Sequence, residues 1–329
     1  MTWKNAVRLA GLVVALNAGA WLSAHAQPAQ SYPTRPVRFV VPYPPGGTTD
    51  IVGRGIAAKL TERWGQQVVV DNRGGASTII GAEVAAKASP DGYTLLLVTA
   101  TTLSINPQVY AKLPYHAGRD FAPITPAVYF PSVIAAHPSV PANSINELIE
   151  LAKGKPGTLT YGTPGMATTN HLAGALLETK AGIRLLHVPF KGSGPAMTGV
   201  LGGQVQLIIT GIATVLPHAK SGRAKILAFL SEKRLPNWPD IPATGEIGLK
   251  DYEGGTWFGV VTRAGTPRSI VDKLNKDTVA TLSAPGLKER FTAIGFEVRT
   301  STPQEFARFI KTDMERTANI IRAAGIKLE

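Results

Sequence analysis

Short runs of β-branched and apolar residues alternate along this chain with more polar stretches of helical length. Val37–Val41 is the first such run, and a glycine-rich loop and a predicted helix to about Trp64 follow it. Predicted strands at 68–70 and 93–99 then enclose a predicted helix at 79–88. Alternation of this kind builds parallel sheets covered by helices. The first hundred residues therefore predict a βαβαβ unit.

A second series of elements begins after an extended segment, Phe121–His137, with prolines at positions 123, 126 and 131. This segment is too long and too rich in proline for one central strand, so we expect the chain to cross there between two domains. Ser144 and Glu147 form a predicted capping box before the next helix. Predicted strands at 158–161, 185–188, 205–209 and 224–229 alternate with helices at 169–181, 194–201 and 213–221.

The end of the chain differs from both series. One predicted strand, Thr256–Val261, precedes three predicted helices, which we expect to pack on the first domain. The predicted architecture is an α/β protein of two lobes, with parallel-type sheets flanked by helices and two interdomain crossings. Residues 27–127 and 231–329 would form the first lobe, and residues 128–230 the second.

The first 26 residues have the features of an export signal. Lys4 and Arg8 precede the mostly apolar run Leu9–Leu22, and Ala24-His25-Ala26 has the small-x-small form at which signal peptidases cut. The run is shorter than the roughly 20 residues that a membrane-spanning helix needs. We therefore expect cleavage after Ala26 and a periplasmic mature protein.

The composition is that of a globular protein and narrows the possible chemistry. Of the 329 residues, 44% are hydrophobic, 17% are charged and none is Cys. The absence of Cys excludes disulfide scaffolds, thiolate nucleophiles and Cys-ligated metals. Loss of Lys4 and Arg8 with the signal lowers the net charge from +12 by two, to +10. The cations are scattered, so we expect no nucleic-acid partner, and the charge favours either small anions or only solubility.

Ligands of open parallel sheets bind beyond the carboxyl ends of the strands, and in this chain the loops at those ends are unusual. The loop after the first strand has three prolines that stiffen it and two glycines, Gly46 and Gly47, that allow the backbone to approach a ligand. Thr48 and Thr49 then open a helix, whose free N–H groups and positive dipole end suit a carboxylate. Residues 162–171 repeat this arrangement in the second lobe.

Other loops add small or polar side chains to the candidate site. A loop of small residues that includes Thr101 follows the third strand, and Lys191 brings one cation to a helix start. His171 is either polar lining or a packed core residue. Carboxylate is favoured over phosphate, because the chain lacks a G-x-x-x-x-G-K-[ST] sequence.

The sequence carries no enzyme signature. Its histidines lack a metal-ligand spacing such as H-E-x-x-H, and Ser193, although it lies between glycines, is not in a G-x-S-x-G motif. The aspartates are too dispersed to suggest a catalytic pair. We expect a binding protein with no catalytic residues, no cofactor and no metal.

A series of short motifs covers essentially the whole mature chain. These are Tyr32–Val37, Pro42–Asp50, Asn72–Ala76, Pro90–Leu96, Asn106–Pro107, His137–Pro141, His187–Gly192, Gly203–Gln206, Trp257–Gly259 and Ala264–Pro267. Each motif alone is weak, but in number and order they resemble the extracytoplasmic solute-binding receptors of tripartite tricarboxylate transporters, also called the Bug family.

The resemblance implies a periplasmic Venus-flytrap receptor that closes on a small carboxylated solute and delivers it to the membrane permease subunits. It also implies that main chain, hydroxyls and ordered water hold one carboxylate. We expect a monomer; a module that presents its ligand to a membrane sensor kinase is the alternative. The loops and the resemblance together give the expected ligand-binding residues Tyr43, Pro44, Gly46, Gly47, Thr48, Thr49, Thr99, Thr101, Thr163, Gly165, Met166, Ala167, Thr168, Thr169, His171, Lys191 and Thr210.

Two features of the chain depart from the family pattern. Many members carry Phe-Asp after the strand that begins at Gly203–Gln206, whereas Thr210-Gly211 stands in this region here. A ligand ammonium group would lose its partner if that acid faces the cleft, which favours organic or aromatic acids over amino acids. Asp50 either faces the cleft as a substitute acid or supports its helix start. Tyr43 and Met166 either accept an aromatic or apolar ligand body or are only packing changes.

Overall fold

The computed structural model describes residues 32–249 and 254–323, so the predicted signal peptide at 1–26 lies outside the described residues. The strands are β1 (Val37–Val41), β2 (Val68–Asn72), β3 (Thr94–Thr99), β4 (Phe121–Ala136), β5 (Thr160–Thr163), β6 (Leu186–Pro189), β7 (Leu207–Gly211), β8 (Lys225–Leu230), β9 (Gly255–Arg263) and β10 (Glu297–Val298). The helices are α1 (Thr48–Trp64), α2 (Ile79–Ala86), α3 (Asn106–Val109), α4 (Ile145–Gly154), α5 (Thr169–Ala181), α6 (Ser193–Leu201), α7 (Ile212–Lys220), α8 (Arg268–Ser283), α9 (Pro285–Thr292) and α10 (Pro303–Ala323).

The strands build two sheets that share β4. The first sheet has the order β2-β1-β3-β9-β4 and the second the order β4-β7-β5-β6, with β10 and β8 also paired to β4. Only the outer strands of each sheet are parallel; β9 runs antiparallel to β3, and β4 runs antiparallel to β9, β7 and β8. The architecture is the expected α/β two-lobed binding-protein fold, but its sheets are mixed rather than simply parallel.

The 16-residue β4 corrects one prediction. We expected Phe121–His137 to be too long and too rich in proline for one central strand, yet β4 is central to both sheets. Its part up to Pro131 pairs with β9, and Ser132–Ala136 pair with β7 and β8. Register shifts beside Pro123 and Pro126 accommodate residues that cannot donate to the ladder. The change of partners falls at Pro131 and Ser132, while the lobe boundaries near 127 and 230 stay a prediction.

The second sheet is covered on both faces, because successive side chains of β4 point in opposite directions. Ile134 belongs to a buried cluster that includes Leu177 of α5. Val133 belongs to another cluster, with Met197 of α6 and Val215 of α7. On the first sheet, α8 packs against α1 and α10 packs against β4. No helix in the described part of the chain combines the length and hydrophobicity needed to cross a membrane.

Candidate functional site

One small cavity is surrounded by the starts of four helices and by parts of strands β4 and β9. In this closed arrangement its volume is about 20 Å³. None of its lining side chains is charged. The lining residues are Tyr43, Thr48, Thr49, Thr99, Thr101, Phe130, Pro164, Thr169, Asn170, Ser193, Thr210, Gly211, Thr256 and Phe258.

Three of the four helices that begin at the cavity lack a side-chain cap. The N-cap positions of α1, α6 and α7 are occupied by glycines (Gly47, Gly192 and Gly211), which have no side chain that could accept a hydrogen bond from the helix start. The first N–H groups of a helix have no partner within the helix. Those groups and the positive ends of the helix dipoles can therefore hold an anion without any charged side chain.

Thr48 and Thr49 begin α1 and are almost fully buried. Asp50 follows them but supports the loop rather than the cavity: its carboxylate accepts hydrogen bonds from Gly46 N at 3.0 Å, Arg54 Nε at 2.9 Å and Asn72 Nδ2 at 2.9 Å. Burial alone would raise the pKa of Asp50, but these donors outweigh it and lower the pKa. Asp50 is thus an ionised support of the helix start.

Tyr43, Thr99 and Thr101 complete the wall of the first lobe. The phenol of Tyr43 is hydrogen-bonded to the Thr101 side chain, and burial raises its pKa despite that bond. Tyr43 therefore stays protonated at neutral pH. Thr101 begins a π-helical turn, Thr101–Ile105, directly after β3. Turns of this rare type often mark functional positions.

Hydroxyl and amide groups also form the wall of the second lobe. The Thr210 hydroxyl donates to Ser193 Oγ at 2.9 Å, which joins the end of β7 to the start of α6. Asn170, in the first turn of α5, donates to Ser132 Oγ at 2.9 Å. Thr169 precedes it and lines the cavity.

Strands β4 and β9 form the floor of the cavity, where Phe130 of β4 packs edge to face on Phe258 of β9 with ring centroids 5.0 Å apart. Thr256 of β9 is 4% exposed, and its hydroxyl has no hydrogen-bond partner. A buried unpaired hydroxyl is costly, so Thr256 is a ready contact for a ligand oxygen.

The loop between β5 and α5 contains expected site residues that lie outside the lining. Thr163 donates to the Gly165 carbonyl, and Thr168 caps α5 by accepting from His171 N at 3.3 Å and also donates to Gly165. Ala167 adopts a φ of 52°, which is strained for a side chain other than glycine. These hydroxyls shape the loop, so their contribution to the site is support for Pro164 and Thr169.

His171 stacks on His187 beneath this loop, with ring centroids 4.0 Å apart. His171 Nδ1 accepts from Ala167 N at 3.1 Å, and His187 Nε2 lies 2.7 Å from the Thr163 hydroxyl. Burial lowers the pKa of His171 to about 4; burial and the neighbouring His171 lower that of His187 to about 3. The neutral pair is a packed support of the loop.

Five other expected residues also lie outside the lining. Lys191 is exposed, and Pro44 and Gly46 lie in the loop before α1, where the φ of 85° at Gly46 suits glycine. Gly47 permits close approach of the lobes, since a Cβ there would lie 3.3 Å from the Cβ of Ser193. Met166 faces the first lobe through its carbonyl, which accepts from Ser77 Oγ at 2.6 Å.

The expectation that ligands bind beyond the carboxyl ends of parallel strands missed several lining residues. Pro164, Asn170, Ser193 and Gly211 stand in the loops that the sequence singled out. Phe130, Thr256 and Phe258 instead lie on the antiparallel strands β4 and β9, where a rule about carboxyl ends of parallel strands does not apply. For these three residues the sequence offered one indication, the motif Trp257–Gly259.

The two lobes are in direct contact around the cavity. The hydroxyls of Thr48 and Thr214 are hydrogen-bonded at 2.9 Å, and the Ser77–Met166 bond forms a second link. A cavity of about 20 Å³ holds roughly one water molecule. A carboxylic acid therefore needs the lobes to separate before it can enter. Within the described residues, no group of three or more His, Asp or Glu side chains could hold a metal ion.

Comparison with known proteins places this chain among solute receptors. A sequence model described as "Tripartite tricarboxylate transporter family receptor" matches residues 52–326. Protein BugT of Bordetella pertussis is 33% identical over 326 residues, which cover 99% of this chain and 100% of BugT.

Solved structures agree with this placement. Periplasmic binding protein BugD is 37% identical with a TM-score of 0.86, over 91% of this chain and 100% of BugD. Rpa4515 of R. palustris, solved with adipate, is 35% identical with a TM-score of 0.88, over 90% of this chain and 99% of its own. MatC of Rhodopseudomonas palustris, solved with bound malate, is 28% identical with a TM-score of 0.82, over 88% of this chain and 100% of MatC.

Proposed function

The chain belongs to the tripartite tricarboxylate transporter receptor family, and from this premise we propose that it binds a small carboxylate between its lobes and presents it to the membrane permease of such a transporter. As a member of a receptor family it is a binding protein and not an enzyme. The proposed ligand is an organic or aromatic acid without an ammonium group.

The observation that carries this proposal is the uncharged lining around uncapped helix starts. Hydroxyls from both lobes, Thr48 and Thr169 among them, border one cavity with the free N–H groups of α1, α6 and α7. Such groups stabilise an anion by hydrogen bonding and by dipole orientation. The adipate and malate named for two related structures belong to the same ligand class.

The preference against amino acids rests on the absence of an acid from the lining. Asp50, the nearest acidic residue in the sequence to the helix start, already accepts three hydrogen bonds and does not line the cavity. A ligand ammonium group would then be buried without a charged partner, which costs several kcal/mol. The aromatic floor of Phe130 and Phe258 suits an apolar ligand body.

Calorimetry with matched pairs tests the proposed ligand class. We expect glutarate or succinate to bind more tightly than glutamate or aspartate, which differ from them by one ammonium group. Adipate, malate and aromatic acids should be screened in parallel by thermal shift, because a ligand that binds only the folded state raises the Tm. Tighter binding of the amino acids would contradict the proposal, and no binding of any acid would contradict the carboxylate assignment.

The proposed location and partner require separate tests. Mass spectrometry of a periplasmic extract should find a mature chain that starts at Gln27; a chain that retains its first 26 residues would contradict export as proposed. We expect uptake of the bound acid by cells to require both this chain and the permease subunits of the proposed transporter.

A further inference from the structure

The hydrogen bond between Ser77 and Met166 joins two strained segments on opposite sides of the cleft. Ser77 follows β2 of the first sheet, and its hydroxyl donates at 2.6 Å to the carbonyl of Met166, which follows β5 of the second sheet. Residues 76–78, here called the left-handed turn, have φ values of 44°, 48° and 78°, and Ala167, next to Met166, has a φ of 52°. Residues other than glycine rarely adopt such values, and keep them only where surrounding groups hold them.

Asn106 is one of the groups that hold the left-handed turn. It begins α3 and is fully buried, and its Nδ2 donates to the Ser77 carbonyl at 2.8 Å and to the Thr78 hydroxyl at 3.3 Å. A carbonyl oxygen can only accept, so the contact with Ser77 fixes the orientation of the amide. Asn106–Pro107 is one of the motifs of the sequence, and it does not line the candidate cavity. Its contact with the turn gives that motif a structural purpose.

A chain of buried hydroxyls, here called the hydroxyl chain, runs from the turn to the cavity wall. The Thr102 hydroxyl donates to the Thr78 hydroxyl at 3.0 Å, and the hydroxyls of Thr102 and Thr99 lie 3.2 Å apart. All three residues are at most 2% exposed, and Thr99 lines the candidate cavity. Because the single proton of the Thr102 hydroxyl is directed to Thr78, the Thr99 hydroxyl donates to Thr102. Hydrogen bonds therefore connect the cavity wall to the turn whose Ser77 bridges the cleft.

We propose that Thr78, Thr102 and Asn106 are positioning residues for closure of the lobes, an inference that rests on the proposed binding of a ligand between them. They hold Ser77 in the left-handed conformation that brings its hydroxyl to Met166, and none of the three lines the cavity. Loss of one of their polar groups leaves buried partners unpaired and allows the turn to relax towards ordinary φ values. The Ser77–Met166 bond then forms less often, and the closed arrangement is less populated.

The rate of disulfide formation across the cleft measures closure without any ligand. In a G47C/S193C background the two thiols meet only when the lobes close, since a Cβ on Gly47 would lie 3.3 Å from the Ser193 Cβ in the closed arrangement. We expect the added substitution S77A to slow oxidation about fivefold to tenfold, and T78V about threefold to fivefold. T78S, which keeps the hydroxyl, should restore the rate.

A control and a double variant distinguish positioning from a general loss of stability. Thr262 is a buried threonine of the first sheet whose hydroxyl donates to the Thr94 carbonyl at 3.0 Å. T262V should lower the Tm and leave the oxidation rate unchanged. In S77A/T78V the effect of T78V on the rate should disappear, because Thr78 acts through Ser77. An unchanged rate in T78V, or an equal slowing by T78V with and without the Ser77 hydroxyl, would overturn the proposal.

Ligand affinity separates this inference from the proposed function. For the acid found in the screen, calorimetry should show binding weakened about threefold to fivefold by T78V and by T102V, and unchanged by T262V. If no acid binds, the proposed function is wrong, whereas the oxidation rates still decide the role of the hydroxyl chain. If an acid binds and T78V oxidises as fast as its background, the hydroxyl chain has no positioning role and the proposed function stands.

Discussion

A Cβ atom on Gly47 would lie 3.3 Å from the Cβ atom of Ser193, on the opposite side of the cleft. Disulfides have Cβ–Cβ separations of roughly 3.5–4.5 Å, so the two atoms need to move apart by only a few tenths of an ångström, and the chain has no cysteine that could compete. We expect the double variant G47C/S193C to form a disulfide under oxidising conditions and to hold the lobes together. The oxidised form should not bind the acid found in the screen, and reduction should restore binding.

Small-angle scattering provides the second readout for this variant. Ligand should reduce the radius of gyration of the wild type, because half the site lies on each lobe and closure completes it. The oxidised variant should have the small radius with or without ligand, and the reduced variant should behave like the wild type. Normal binding by the fully oxidised protein would show that the lobes need not open.

The sequence predicted elements best where local signals were strong. Helix α5 has the predicted bounds, 169–181, because Thr168 caps its start and Gly182 ends it in the left-handed conformation. The nature of β4 was not predictable in this way, since its prolines are tolerated only through register shifts that depend on β9. Pairing between distant segments leaves no local pattern of this kind.

The candidate site was also predictable only where it depends on local sequence signals. Helix starts such as Thr48 and Thr49 could be found from strand-loop-helix order alone. Whether a hydroxyl faces the cavity or the loop could not: Thr168 and Thr169 are adjacent, yet one caps a helix and the other lines the cavity. Thr256 was missed because its role follows from the antiparallel pairing of β9 with β4.

Thr256 provides a test that separates binding from stability. Replacement by the isosteric T256V removes a buried hydroxyl that has no partner, so we expect the Tm of the free protein to stay the same or to rise. Affinity for the acid should fall about threefold to tenfold if the hydroxyl contacts the ligand. T256S, which keeps the hydroxyl, should retain affinity. A fall in Tm with unchanged affinity would mean that Thr256 has only a structural role.

Thr168 and Thr169 should respond differently to truncation. T168A removes the N-cap of α5 and a bond to Gly165, so we expect a loss of about 1 kcal/mol of stability and a lower Tm. T168S should restore most of it. T169A should leave the Tm nearly unchanged but lower affinity about tenfold to a hundredfold if its hydroxyl donates to the carboxylate. Thermal unfolding gives the Tm of both variants and calorimetry gives their affinity. If T168A and T169A change Tm and affinity in the same way, the separate roles of helix cap and ligand contact are wrong.

The stacked pair His171 and His187 should make stability depend on pH. Their pKa values are lowered to about 4 and about 3 in the fold, against 6.5 for a free histidine. Below pH 6.5 the unfolded chain therefore binds more protons than the folded one, and stability should fall as the pH drops from 6.5 towards 4. The variant H171Q/H187Q should show a flatter Tm profile in that window, whereas H116Q, at an exposed position, should keep the wild-type slope. Parallel profiles for all three proteins would exclude this pair as the cause.

The charge of the side chain at position 210 should decide whether the site accepts an amino acid. Thr210 is fully buried on the cavity wall and donates to Ser193 Oγ. In T210D the new carboxylate would repel a ligand acid and supply the partner that an ammonium group needs. We therefore expect T210D to lose glutarate affinity by at least about a hundredfold, since a close unpaired like charge costs several kcal/mol, and to prefer glutamate over glutarate. T210N, of the same shape without the charge, should keep the wild-type preference for glutarate. If T210D binds glutarate as the wild type does, the ligand carboxylate lies away from β7, and the argument against amino acids loses its basis.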